Sequence, residues 1–100
     1  MLKREDILAK AKTGISEIEV EGYGKMRCKD VSFATYAKVM TEYSNAGDQD
    51  AALFCECIVD EEGKPMFTFE EVAKDGILNV NFVTAAIKEI TNNIGKQAKN

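Results

Sequence analysis

Residues 55–72 read CECIVDEEGKPMFTFEEV, an apolar helix end, a charged turn and a capped second helix with no spare residue between them. The Thr68 side chain is placed to accept from the backbone N–H of Glu71, and the Glu71 carboxylate to accept from the N–H of Thr68, which is a capping box. Phe67 just before the cap and Val72 four residues after it stand at the positions of a hydrophobic staple, which sets the angle of entry into the helix. Upstream, Asp60-Glu61-Glu62-Gly63-Lys64-Pro65 is a turn, because Gly63 permits positive φ and Pro65 presets φ while refusing to continue a helix.

The order C-I-V-D, E-E-G-K-P, M-F-T-F-E-E-V, followed by a last apolar helix, resembles the tail assembly chaperones of long-tailed phages and related prophages. The likeness is closest over Cys55 to Val72 and extends more loosely to the strands before it and the helix after it. It implies a non-catalytic protein that binds the tape measure protein, keeps it soluble in the bacterial cytoplasm, helps tail tube subunits gather around it, and is absent from the mature virion. It also implies a longer product made by ribosomal frameshifting near the end of the reading frame, with which Gly95-Lys96 is compatible. Members of the family often carry tryptophan in the strand region. This chain has none and places Tyr23 in the turn instead.

Composition sets bounds that agree with a small binding protein. One hundred residues make one domain, 1–100, near the size at which a single core is only just sufficient. The net charge of −4 comes from 13 bases and 17 acids that alternate along the chain rather than forming blocks. Neither nucleic-acid binding nor DNA mimicry is favoured, since the first needs a basic stripe and the second carboxylates gathered on one face. No apolar run approaches the ~18 residues of a membrane span, and Met1-Leu2-Lys3-Arg4 is followed by Glu5 and Asp6 rather than by the apolar core of a secretion signal.

Along the chain, Leu2 to Lys12 reads as a short polar helix stopped at Gly14, with too few apolar residues to fold alone. From Glu17 to Asp30 the period becomes two, which predicts a hairpin about Gly22-Tyr23-Gly24. A turn centred on Tyr23 would set Glu21, Glu19 and Glu17 against Lys25, Arg27 and Lys29, and Val20 and Ile18 against Met26 and Cys28. Ser32 caps a helix whose predicted buried stripe is Phe33, Tyr36, Ala37, Met40 and Tyr43. Asp48 opens the next helix, apolar all round through Val59, which is therefore either central or covered by a partner. Asn79 caps the last helix, with Val80, Val83, Ala86, Ile87, Ile90 and Ile94 as its predicted stripe and residues 95–100 as a flexible tail. Phe82 stands off that stripe, so it either packs on the short helix before it or stays exposed for a partner.

The fold class is therefore α+β, mostly helical, an N-terminal β-hairpin packed on three to four helices. Candidate chemistry is sparse. The chain has no histidine, the commonest general base near neutral pH. Its three cysteines cannot complete a four-ligand zinc site and read as reduced, buried thiols. Gly22-x-Gly24-Lys25 matches neither a dinucleotide site nor a phosphate loop, and Asp48-x-Asp50 lacks the other ligands of a calcium loop. No cofactor, metal or enzymatic activity is expected. The aromatics Tyr36, Tyr43, Phe54 and Phe82 are the candidate protein-binding residues, since aromatic side chains dominate interface hot spots. A small structural tail or head-completion protein is the rival reading, separable by its presence in purified particles.

Overall fold

The computed structural model describes residues 1–99, with side chains through 93. In chain order it contains α1 (Arg4–Ala11), β1 (Ile15–Val20), β2 (Gly24–Lys29), α2 (Phe33–Glu42), α3 (Ala46–Cys57), β3 (Ile58–Val59), α4 (Phe69–Ala73) and α5 (Val80–Lys99). The architecture is α+β: an antiparallel sheet ordered β1-β2-β3 packed against helices. The expected tail at 95–100 falls on residues whose side chains lie outside the described ones.

The hairpin forms with its predicted faces but not its predicted partners. Val20 pairs with Gly24, Ile18 with Met26 and Glu17 with Arg27, a register two residues away from the expected one. The turn closes through the Tyr23 N–H donating to the Val20 carbonyl at 2.9 Å, with Gly22 at φ 86°. Gly22 is the third residue of that turn, where positive φ is required and a side chain would be strained. Because side chains alternate with period two, a shift by two leaves Ile18, Val20 and Cys28 facing the core, and all three are buried.

The third strand departs from expectation. Ile58 and Val59, read as the end of the apolar helix, leave α3 after Cys57 and pair with Cys28 and Arg27 of β2. Both are β-branched, which suits a strand better than a helix end. The chain then reverses through the 60–65 turn. The Asp60 carboxylate accepts from the backbone N–H groups of Lys64 (3.0 Å) and Glu62 (2.8 Å). The Lys64 hydrogen bond, more than the Glu62 one, holds the Asp60 carboxyl below its ordinary range. Gly63 sits at φ 83°, and a Cβ there would meet Ile15 Cδ1 at 3.3 Å. Pro65 then bridges back to Val59.

The capping box forms as read: the Glu71 N–H donates to Thr68 Oγ1 at 3.2 Å, and the Thr68 N–H to Glu71 Oε1 at 2.9 Å. Asn79 caps α5 by accepting from the Phe82 N–H at 2.8 Å. The cap of α3 is Asn45, accepting from the Asp48 N–H, rather than Asp48 itself.

One helical stripe is rotated from its predicted face, and the other holds except at its first residue. On α2 only Val39 is buried, while Phe33 is 87% and Tyr36 46% exposed. On α5 Ala86 and Ile90 are buried and Val83 and Ile87 pack half-buried against the same core, joined there by Phe82, while Val80 is 74% exposed and the side chain of Ile94 lies outside the described ones. Phe82 packs neither on the short helix nor on nothing. Its ring meets Tyr23 of the hairpin turn edge-on at 4.9 Å and Phe54 of α3 at 6.0 Å. Phe54, fully buried, also faces Phe67 at 6.0 Å, so α3 is the central helix, joined by aromatic contacts to α5 and the staple residue.

Candidate docking cleft

The aromatic residues singled out from the sequence do not form one surface. Tyr36 lies exposed on α2. Tyr43, half-buried at the end of α2, stacks on Phe69 at the start of α4 with centroids 4.7 Å apart. Phe54 is in the core and Phe82 is half-buried against it.

An apolar cleft lies elsewhere. The α5 turns that carry Phe82, Ala86 and Ile90 into the core present Val80, Val83, Thr84 and Ile87 on a face roughly 100° further round. That face forms one wall. Val72 and Ala73 of α4 with Leu78 form the second, and the first turns of α3 (Gly47, Asp48, Asp50, Ala51) the third, enclosing about 470 Å³. Ala51 is buried on the floor, and Val72, Leu78, Val83 and Ile87 are half-buried. Beside the cleft Ile77 is 52% exposed. Its polar rim is acidic, from Asp48 and Asp50. A second groove of similar size runs between α2, α3 and α4 past Val39, Tyr43 and Phe69, with Lys38, Glu42 and Glu56 around it.

The clefts follow from the signature stretch. Residues 55–72 build the last helical residues of α3, β3, the turn and the start of α4. Cys55 is buried, and Phe67 and Val72 pack against the core. The stretch therefore holds α4 at its angle to α3, and that angle opens the space between them. Of its residues, Val72 reaches into the α5-side cleft. The match to the phage tail assembly chaperone (TAC) family model spans residues 6–93 of the 100-residue chain. The chain belongs to that family. Comparison with curated proteins and with solved structures finds no match.

What this tail assembly chaperone offers chemically is apolar surface with an acidic rim. Among the described residues no group of three or more Cys, Asp and Glu could hold a metal ion, and no helix is long and apolar enough to cross a membrane. The three cysteines are free and buried. Burial, then Glu56 and Glu71, pushes the Cys55 thiol up to about 11. The thiols of Cys28 and Cys57 share a hydrogen bond that pulls Cys28 down and drives Cys57 far up, so the pair resists losing both protons.

The sequence carries a signal for this cleft that residue type alone does not show. Val80, Phe82, Val83, Ala86, Ile87 and Ile90 are too many apolar positions for one face of α5. The excess marks a second face.

Proposed function

We propose that this tail assembly chaperone binds the tape measure protein by laying one of its amphipathic helices into the α3/α4/α5 cleft. The open apolar wall of α5 carries the reading. Val80, Val83 and Ile87 follow the i, i+3, i+4, i+7 spacing with which helix-in-groove partners meet. A tape measure helix exposes apolar stripes over a great length, and covering them removes the surface that would drive aggregation. The acidic rim selects segments whose stripe is flanked by lysine or arginine. Each client side chain fully buried there contributes about 1.5–3 kcal/mol, so a few anchors suffice for a complex that later opens. In this reading the protein is not an enzyme, works in the host cytoplasm without nucleic acid or membrane, helps tail tube subunits gather on the covered tape measure, and leaves before the virion is complete.

Co-expression of the chain with the products of its neighbouring genes, followed by affinity capture and mass spectrometry, tests the proposal. The expected result is retention of a long helix-rich protein by the native chain and its loss with Thr84→Arg, which places a long cation in the cleft. Retention unaffected by Thr84→Arg overturns the cleft, and abundance of the chain in purified particles overturns the chaperone role in favour of a structural one.

A further inference from the structure

Helix α1 is the part of the molecule that the fold leaves unexplained. None of its residues is buried: Ile7 is 50% and Leu8 46% exposed, and Leu2 just before it is 75% exposed. At 8 residues it is well short of the ~12–15 that an isolated helix needs to persist in water, so it requires a surface to pack on.

Its side chains describe that surface. Ile7, Leu8 and Ala11 fall within roughly 100° of one another around the axis. Arg4 falls within this stripe and Lys3 just beside it, Lys10 and Glu5 stand at equal angles outside its two edges, and Asp6 falls on the far side. An apolar stripe flanked by bases complements an apolar cleft rimmed by Asp48 and Asp50.

The segment does not reach the cleft of its own chain. Gly14 is pinned to Asp30 by two hydrogen bonds, Asp30 N–H to the Gly14 carbonyl (2.8 Å) and Gly14 N–H to Asp30 Oδ2 (2.9 Å). Only Lys12 and Thr13 are left as a leash, so Ala11 stays within about 10 Å of Gly14, and Ile7 one turn further, within about 16 Å. Strand β1 runs about 20 Å from that point to the hairpin turn, where Tyr23 meets Phe82 between the cleft residues Val80 and Val83. The cleft is on another face of α5 again.

We infer that α1 of one copy docks in the α3/α4/α5 cleft of a second copy, giving a symmetric dimer with two exchanged arms. Each copy supplies one arm and one cleft, so a two-fold arrangement uses both and closes. With the tape measure helix in the same cleft, arm and client compete, so free chaperone covers its own apolar surface until a client displaces the arm.

Sedimentation equilibrium of the full chain without any client tests this independently of the tape measure reading. The native chain is expected to be a dimer. Ile7→Asp/Leu8→Asp in the arm and Thr84→Arg in the cleft are each expected to raise the dissociation constant on the order of 100-fold, as loss of central apolar anchors does. Mixing the two variants is expected to restore a heterodimer held by one intact arm and one intact cleft. Lys10→Glu should weaken the dimer several-fold, and Asp50→Lys in the partner copy should recover it. All these positions are exposed, and an unchanged circular dichroism spectrum confirms folding. A monomeric native chain, a dimer indifferent to both variants, or a monomer whose α1 amides are protected from exchange would each overturn the proposal.

Discussion

The two faces of α5 carry the same kinds of residue and meet opposite fates. Phe82, Ala86 and Ile90 are closed against Tyr23, Phe54 and the sheet, while Val80 is 74% exposed and Val83 and Ile87, half-buried against the same core, also line the α3/α4/α5 cleft. One face is what the chain needs in order to fold. The other is consumed by folding only in part, so that apolar surface stays open on a rigid helix, which is what a binding protein of this size requires. The difference teaches that hydrophobic periodicity marks surface to be covered without saying by what.

The sharpest way to break the comparison is to attack the residue behind the closed face. Phe54→Ala removes a fully buried ring that meets both Phe67 and Phe82, and a loss of about 3–5 kcal/mol is expected. For a domain of this size that is a large share of the total, so urea or thermal denaturation should show a strongly shifted or absent transition. A loss under about 1 kcal/mol would mean that the core is not centred there.

A paired measurement separates the faces directly. Ile90, 2% exposed, lies on the closed face, and Val80, 74% exposed, on the open one. Ile90→Ala is expected to cost about 2–5 kcal/mol, whereas Val80→Ala should stay within about 0.5 kcal/mol of the native chain and lower only partner binding. Equal losses would show that both faces serve folding.

These contrasts also mark what the sequence could reveal. The capping box, the 60–65 turn and the two faces of the hairpin depend on residues within a few positions of one another, and each was legible. The strand β3, the hairpin register and the seat of Phe82 depend on distant partners. Nothing near Ile58 says that Cys28 waits beside it. Nothing near Phe82 says that Tyr23 will arrive against its ring. On α2, Phe33 and Tyr36 share a helical spacing with Ala37, Met40 and Tyr43, yet Val39 takes the inward position. A docking cleft is less legible still, for it is defined by what remains uncovered once every helix is seated. Residue type alone points to Tyr36, Tyr43, Phe54 and Phe82, of which Tyr43 lines the α2-side groove and none lines the α5-side cleft.

Alkaline pH probes the closed side without mutation. Cys55 is pushed from 9.0 to about 11, chiefly by burial. Its raised value means that the folded state keeps the proton while the unfolded chain loses it. Stability is therefore complete below about pH 9 and falls as the pH rises toward 11, by on the order of 2 kcal/mol from this group. Other groups titrate in that window, so the decisive quantity is the difference between the native chain and Cys55→Ala in denaturation midpoints at pH 8 and pH 10.5. The variant should show the shallower decline, and parallel declines would mean that Cys55 is not sealed.

The frame between the two clefts should yield less. Thr68→Ala removes the acceptor for the Glu71 N–H and keeps the bond that the Glu71 carboxylate accepts from the backbone N–H at position 68. A cost of about 1 kcal/mol is expected in chemical denaturation. If α4 is the hinge of the cleft wall, amide exchange should accelerate over Phe69–Ala73 more than over α5.

The smallest expected effect decides the hairpin register. In the observed pairing Glu17 lies opposite Arg27, and its carboxylate reaches diagonally to Lys25 Nζ at 3.6 Å. In the register with the turn centred on Tyr23, Glu17 would instead face Lys29. Both side chains of the observed pair are more than half exposed, so solvent screens the attraction and a coupling of a few tenths of a kcal/mol is expected. Double-mutant cycles of Glu17→Gln with Lys25→Gln and with Lys29→Gln compare the two arrangements. Coupling confined to the Lys25 cycle supports the turn closed by Tyr23 N–H and Val20. Coupling confined to Lys29 would move the turn by one residue and take Tyr23 away from Phe82. The edge contact that holds the closed face of α5 against the hairpin would then be lost, and with it the reason that Val80 faces outward.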